Sequence, residues 1–311
     1  MSTSEVLCVG EVLWDALPEG LFLGGAPFNV ACHLRATGTP VTMVSRIGDD
    51  RLGDEVLRRA ARYGVGTDLM QVDAQLPTGF VRVIVDDAGN PAYEILEPAA
   101  WDAVAPTDAL LSRARKARAI VFGTLAQRQA TTRNTIRQLW ETDALMVFDV
   151  NLRPPFDDRE IVRQSLQRAD VVKLSDDELN QIAKWFALRG DPRAIVAALA
   201  EMFACSLICV TRGSQGAVLL HDGEWTEHPG FTVEVRDTVG AGDAFLAMLL
   251  AGLLAGRPDS ALLQHANLMG AYVSTQFGAV PSDQSAAIAP PPESPAPAPV
   301  RKRRRQKRSG S

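Results

Sequence analysis

Short apolar runs alternate along the chain with segments whose apolar residues recur at helical spacing, and this alternation predicts strand–helix units built on a largely parallel sheet. The predicted inner strands are VLCVG at 6–10, VTMVSRI at 41–47, AIVFG at 119–123, LMVFDV at 145–150, VVKLS at 171–175 and SLICVT at 206–211. Most are continuous rather than alternating in hydrophobicity, as strands covered on both faces are. Helical periodicity marks 51–63, 127–142, 160–168, 176–188 and 193–203, with two final helices over 242–254 and 259–275.

Two segments break this rhythm. Residues 21–24 are a short apolar run, and in 79–96 the stretches GFVRVIVDD and PAYEIL flank a turn at Ala88-Gly89-Asn90, which predicts a hairpin with one polar face. Inserted into a doubly wound domain, such strands form a small sheet over the C-terminal edge of the main one, where ligands bind in these folds. A lid is the functional reading; an ornamental surface hairpin is the bland one.

The chain has 311 residues, 46% hydrophobic and 22% charged, enough for a large α/β core and unlike a disordered or fibrous composition. Its longest nearly apolar stretch, Ala244 to Gly256, is thirteen residues. A bilayer span needs roughly 18 or more, so membrane readings are excluded. The N-terminus MSTSEVLCVGEVLW has no basic start, apolar region or small-residue cleavage site, which places the chain in the cytoplasm. Cys8, Cys32, Cys205 and Cys209 are too scattered for a disulfide scaffold, and in a strand CSLICV the last two sulfurs stand about 13 Å apart. No CxxC or HExxH motif occurs and the four histidines are dispersed, so a metal would be held by oxygen. The net charge of −5 hides seven basic residues within 301–308, which follow a Pro/Ala-rich stretch. These features divide the chain into a folded domain over 1–281 and a disordered tail over 282–311. A solvated tail is the leading reading of that basic run, with nucleic-acid contact the lesser one because no aromatic residues interleave it.

The most informative stretch is VRDTVGAGDAFL at 235–246, which passes from a strand through Gly240, Ala241 and Gly242 into an apolar helix with Asp243 in its first turn. A helix N-terminus exposes unpaired N–H groups and glycines admit a ligand to the backbone, so this is an anion site suited to phosphate. Asp243 stands where a carboxylate could meet a substrate hydroxyl, or it only compensates the helix dipole. A second constellation, GGAPFNVA at 24–31, sets Gly24 and Gly25 before a helix starting near Pro27, with Asn29 in the first turn; Asp15 from an upstream loop and Asn29 could clamp sugar hydroxyls. Asp149, Asn151 and Arg153 share a face if the strand continues beyond 150. Arg153 could then grip a phosphate and Asp149 hold magnesium through water, or the two could form a structural ion pair. Ser175 and Glu178 fit a capping box. The turn Thr211-Arg212-Gly213-Ser214-Gln215-Gly216 between two strands could run along a nucleotide, whereas the P-loop and GxGxxG patterns are absent.

These residues carry a resemblance. DTVGAGDAF at 237–245, GGAPFNVA with an upstream aspartate, the TRGSQG turn and the closing QFGAVP resemble, in order, the PfkB or ribokinase-like sugar kinases. GEVLWDALPEG with LGGAPFN, PAAWDAV and DVNLRPP is most similar to the fructokinases among them. The resemblance implies a three-layer α/β/α domain with a mainly parallel sheet and a small β-sheet lid. It implies transfer of the γ-phosphoryl group of ATP to a primary sugar hydroxyl, most simply fructose to fructose 6-phosphate. Ribose, 2-keto-3-deoxygluconate or a nucleoside are the alternatives within that chemistry. By match, Asp243 is the general base and Gly240, Ala241 and Gly242 form the anion hole. Asp15, Gly24, Gly25 and Asn29 bind the sugar, and Thr211, Gly213, Gly216 and Asn267 lie along the nucleotide. Magnesium travels with the phosphates, and a potassium site would involve Asp237, Thr238 and the Gly278-Ala279 segment. The sequence departs from the family in one place: its N-x-x-E motif appears as Ser175-x-x-Glu178, so Glu178 keeps a water-mediated metal role without the asparagine. A homodimer through the lid is a further expectation, and a non-catalytic sugar- or nucleic-acid-binding protein is the alternative from another class.

Overall fold

The structure is a computed structural model that describes residues 5–17, 20–85 and 91–281. The hairpin turn expected at 88–90 and the tail expected over 282–311 lie outside the described residues. In chain order the elements are β1 (Val6–Val9), β2 (Leu13–Leu17), β3 (Gly20–Gly24), α1 (Ala26–Ala36), β4 (Val41–Val44), β5 (Arg46–Gly48), α2 (Arg51–Arg62), β6 (Gln71–Asp73), β7 (Gly79–Val85), β8 (Pro91–Ile95), α3 (Asp108–Ala114) and β9 (Ala119–Gly123). Then follow α4 (Ala130–Leu139), β10 (Leu145–Asp149), α5 (Arg159–Leu166), β11 (Val171–Ser175), α6 (Asp176–Trp185), α7 (Pro192–Phe203), β12 (Leu207–Thr211), β13 (Ala217–His221), β14 (Glu224–His228), α8 (Ala241–Leu254) and α9 (Asp259–Ser274).

The main sheet runs β14-β13-β12-β11-β10-β9-β1-β4, parallel from β12 to β4 and antiparallel only at the β13 and β14 edge. Alternation along each inner strand divides the core in two. Val6, Cys8, Ala119, Val121 and Val147 pack with residues of α1, α2, α8 and α9 on one face. Leu7, Val9, Ile120, Phe122, Met146 and Phe148 pack with α3, α4, α5, α6 and α7 on the other. Helix on sheet on helix is therefore the layer order, in keeping with the expected three-layer α/β/α architecture. Because the inner strands are parallel, their C-terminal ends, at Gly10, Gly123, Asp149, Ser175 and Thr211, open on one edge.

A second sheet, β3-β2-β7-β8, supplies the lid. Its central strand β2 pairs antiparallel with β3 and parallel with β7. This corrects the placement of Asp15, expected in a loop: it lies within β2, opposite Phe22. The apolar run 41–47 also divides, since the chain leaves the main sheet at Ser45 and β5 pairs with β6 instead. Helix α4 is shorter than its periodicity suggested because Leu125–Gln127 closes a separate 3₁₀ turn. No strand leads into the Gly240 turn; the Arg236 N–H bonds to the Ser274 carbonyl at the end of α9 (2.8 Å), and Val235 is exposed. Cys205 precedes β12 rather than lying in it, and no disulfide links the four cysteines.

One buried ion pair anchors the chain where it leaves the lid. Arg128, after the 3₁₀ turn, forks onto Asp102 through Nε and Nη2, both at 2.8 Å, with side-chain exposures of 2% and 5%. It also donates to the Leu96 carbonyl just beyond β8 and lies 4.0 Å over the Trp101 ring. Removing one partner of such a pair strands an uncompensated charge. Asp102→Ala is expected to destabilise the protein by about 3–5 kcal/mol in urea unfolding; a loss under about 1 kcal/mol would mean that water or a neighbour satisfies the guanidinium.

Candidate active site

Helix α8 begins at a turn that only glycine can close. Gly240 has φ +77°, and a Cβ there would stand 2.5 Å from Ala279 Cα. The turn is braced from behind. Asp237 accepts the N–H groups of Val239 (3.0 Å) and Gly278 (3.1 Å) on its two oxygens, and the Thr238 carbonyl accepts the Ala241 N–H. His33 of α1 reaches the Ala279 carbonyl through Nε2 (2.9 Å). In the first turn of α8, Asp243 accepts a hydrogen bond from Asn29 Nδ2 at 2.8 Å. The amide and the carboxylate, which sequence placed on separate constellations, are thus direct partners; Asn29 Oδ1 is buried and unpartnered among the described residues.

Lid and body meet at the glycines before α1. Gly25, at φ +105°, would bring a Cβ within 2.5 Å of the Glu11 carbonyl, and a Cβ on Gly24 would stand 2.6 Å from Asp15 Oδ2. Burial pushes the Asp15 carboxyl up to about 6, with Arg153 opposing the rise. Glu11, directly after β1, was not singled out from sequence. It is 3% exposed, and its Oε2 has no partner among the described residues. Burial drives its pKa up to about 7; the N–H groups of Glu11 and Ala26 and the Arg153 charge pull it down, and the Asp243 charge adds to the rise. A lone acid closing an otherwise apolar strand end, CVGEVLW, was the available signal.

The expected row of Asp149, Asn151 and Arg153 does not form. β10 ends at Asp149, and Asn151 takes a left-handed φ of +38°, which turns the following chain off the strand axis. Arg153 consequently lies in the field of Glu11 and Asp15 and bonds the Leu152 carbonyl, so the alternative of an Arg153–Asp149 ion pair is also overturned. The partner of Asp149 is Lys173, opposite it in register on β11, with Nζ 3.0 Å from Oδ1. Burial pushes the Asp149 carboxyl up to about 6 despite the ammonium. For Lys173, burial is outweighed by Asp149, Glu178 and Asp243, which together raise its pKa, so it stays charged.

The capping box at the start of α6 is present: Ser175 Oγ accepts the Glu178 N–H, and Glu178 Oε2 accepts the Ser175 N–H. Glu178 Oε1 also accepts the Leu152 N–H at 2.7 Å, tying the chain after β10 to α6. Across the sheet edge Thr211 ends β12, and the Arg212 N–H closes on the Gly216 carbonyl (2.8 Å). Gly213 and Gly216 both have positive φ, and a Cβ on Gly216 would strike the His228 carbonyl at 2.0 Å. Asn267 is buried on α9 and donates to the Leu263 carbonyl of its own helix, not to the Thr211–Gly216 turn. Among the described residues no three His, Cys, Asp or Glu side chains form a ready metal cage.

A glycine-closed helix start with a carboxylate in its first turn stands at the C-terminal edge of a mainly parallel sheet beside a small second sheet, the layout of a ribokinase-like fold. The model of the pfkB family of carbohydrate kinases matches residues 19–286, and the chain belongs to this family. It is a phosphotransferase acting on a sugar hydroxyl. It is 31% identical over 295 residues to a fructokinase of Klebsiella pneumoniae, spanning 89% of this chain and 95% of that one. A fructokinase of Escherichia coli is 30% identical over 266 residues, 81% and 85% of the two chains. Among solved structures, a fructokinase of Xylella fastidiosa with bound ATP superposes with a TM-score of 0.77 at 27% identity, covering 89% of this chain and 94% of that one.

The raised Glu11 acid makes a signed prediction. Its stabilising contribution is complete below its unfolded value of about 4.5 and is lost as pH rises through about 7. Between about pH 5 and 8 the wild type is expected to lose up to about 3 kcal/mol relative to Glu11→Gln, whose amide does not titrate. Thermal melts across that range check it; parallel curves for the two proteins would contradict it.

Proposed function

We propose that this kinase transfers the γ-phosphoryl group of ATP to the primary hydroxyl of fructose, giving fructose 6-phosphate. The observation that carries the reading is the Asn29–Asp243 pair at the glycine-closed start of α8. Asp243 takes the hydroxyl proton as the sugar oxygen bonds the γ-phosphorus, and the bond to the β,γ-bridging oxygen breaks to release ADP. Backbone N–H groups of Gly240 and Gly242 face the charge that develops, the role in which preorganised donors contribute most; the Ala241 N–H, expected to join them, instead closes the turn on the Thr238 carbonyl. Asn29 orients the base; Asp15, Gly24 and Gly25 meet the sugar from the lid side, with Arg153 as their counter-charge. Thr211, Gly213 and Gly216 offer a turn to the nucleotide, with Asn267 of α9 as a further contact.

Magnesium carried by the phosphates would neutralise charge on the transferring group. The buried, unpartnered Oδ2 of Asp149 fits a water-mediated contact to such an ion, whereas both oxygens of Glu178 already accept backbone N–H groups. Asp237 is similarly engaged, so a potassium ion beside the turn would share oxygens that hold Val239 and Gly278. The fructokinase relatives favour fructose over ribose, 2-keto-3-deoxygluconate and nucleosides. The intact turn with Asp243 favours an active enzyme over an idle sugar- or nucleic-acid-binding scaffold. Residues 1–281 form one catalytic domain in this reading.

ATP consumption with fructose, ribose, 2-keto-3-deoxygluconate and adenosine, with magnesium and with or without potassium, tests this reading. Fructose is expected to give the highest kcat/KM. Asp243→Ala is expected to lower kcat by about 10² to 10⁴, the range for a general base. A folded Asp243→Ala protein with near wild-type turnover would remove the base assignment, and preference for another acceptor would remove fructose.

A further inference from the structure

Lys173 has no place in the scheme so far, yet it sits at the centre of it. It occupies an interior row of the main sheet with Gly123, Asp149 and Cys209 on neighbouring strands, on the face that packs α1, α8 and α9. Its side chain is 7% exposed and that of Asp149 5%. A Cβ on Gly242 would lie 3.0 Å from Nζ, so the ammonium stands directly beneath the first turn of α8. That position is electrostatically unfavourable by itself, because the start of a helix already carries a partial positive charge. Asp149, Glu178 and Asp243 hold the charge there, yet a buried ion pair of this kind is seldom the most stable filling for a sheet interior. An anion above the turn would draw on the same charge.

We propose that Lys173 is a positioning residue for phosphoryl transfer: its ammonium fixes the Asp149 carboxylate in register and strengthens the positive field of the Gly240–Gly242 turn toward the transferring phosphoryl group. The inference rests on the reading of that turn as the phosphoryl site. It accounts for an amine inside an apolar row and for the absence of a side chain at Gly242. A longer residue there would displace the ammonium from the turn. Glu178, also in the field of Lys173, links the same charge to the chain segment after β10.

The test compares Lys173→Gln, which can still donate to Asp149 but is neutral, with Lys173→Arg, which keeps the charge. Binding of ATP and of ADP, each with magnesium, is measured by calorimetry on the full chain, alongside kcat and KM for the accepted sugar. The neutral variant is expected to lose about tenfold in affinity for ATP while ADP binding changes by less than about threefold, because only the γ-phosphate lies over the turn. Its kcat is expected to fall about ten- to hundredfold with the sugar KM nearly unchanged. The arginine variant is expected to recover most of both losses. Equal losses in both folded variants, or none in Lys173→Gln, would overturn the proposal. If Lys173→Gln does not fold, Lys173→Met combined with Asp149→Leu replaces the pair by apolar side chains, and its ATP-to-ADP affinity ratio is read against Asp149→Asn alone; an unchanged ratio again overturns it. A wild type that phosphorylates none of the sugars would refute the fructose reading, while the ATP and ADP comparison still decides on Lys173.

Discussion

The turn at Gly240 closes only because two chain segments are allowed to touch where side chains would ordinarily keep them apart. Gly240 lies against Ala279 and Gly242 lies over the Lys173 ammonium. These approaches press the exposed N–H groups of α8 toward the sheet edge, and every polar group of the site is placed relative to them. His33 and Asp237 hold the Gly278-Ala279 segment against the turn, so α1 and the loop before α8 are registered by the same contact. The Asn29 bond to Asp243 then follows from the position of α1, whose start is set by Gly25 fitting over the Glu11 backbone.

The charges around this turn form a layered set rather than a cluster. Below it, within the sheet, Lys173 and Asp149 pair across β11 and β10. Beside it, Glu11 and Asp243 share one field with Arg153. Toward the lid, Asp15 is half-buried on β2 and feels Arg153 as well. Burial raises the carboxyls of Glu11, Asp15 and Asp149, which means that the protein keeps several acids at a cost in desolvation near one point. Such concentration is typical of sites that handle protons and charged groups, and here it coincides with the start of a helix.

The sheet and most helices were legible because buried parallel strands write themselves as continuous apolar runs, as AIVFG and LMVF do. Legibility failed where the reason for a conformation lay elsewhere in the chain. Residues 13–17 read as a loop because Trp14 and Asp15 interrupt any simple run, and only pairing with β3 and β7 makes them a strand. The row through Asp149, Asn151 and Arg153 failed at one dihedral angle, since nothing local to DVNLR announces a left-handed asparagine. Gly25 and Gly240 stand out in the sequence because glycine spacing records close backbone approach, and both make such approaches in the fold. Glu11 and Lys173 were missed because each looks like an ordinary strand-end or strand residue until its neighbours across the sheet are known. The partnership of Asn29 with Asp243 spans 214 positions and leaves no trace in spacing at all.

The central claim is that the Asp243 carboxylate receives the proton of a primary sugar hydroxyl beneath the helix start. A crystal structure of the full chain with fructose and a non-hydrolysable ATP analogue tests it most directly. The account predicts the sugar's primary hydroxyl within hydrogen-bond distance of Asp243, at about 2.6–3.2 Å, with the terminal phosphate against the Gly240 and Gly242 N–H groups. Fructose bound with its primary hydroxyl turned away from Asp243, or a terminal phosphate held away from that turn, would contradict it.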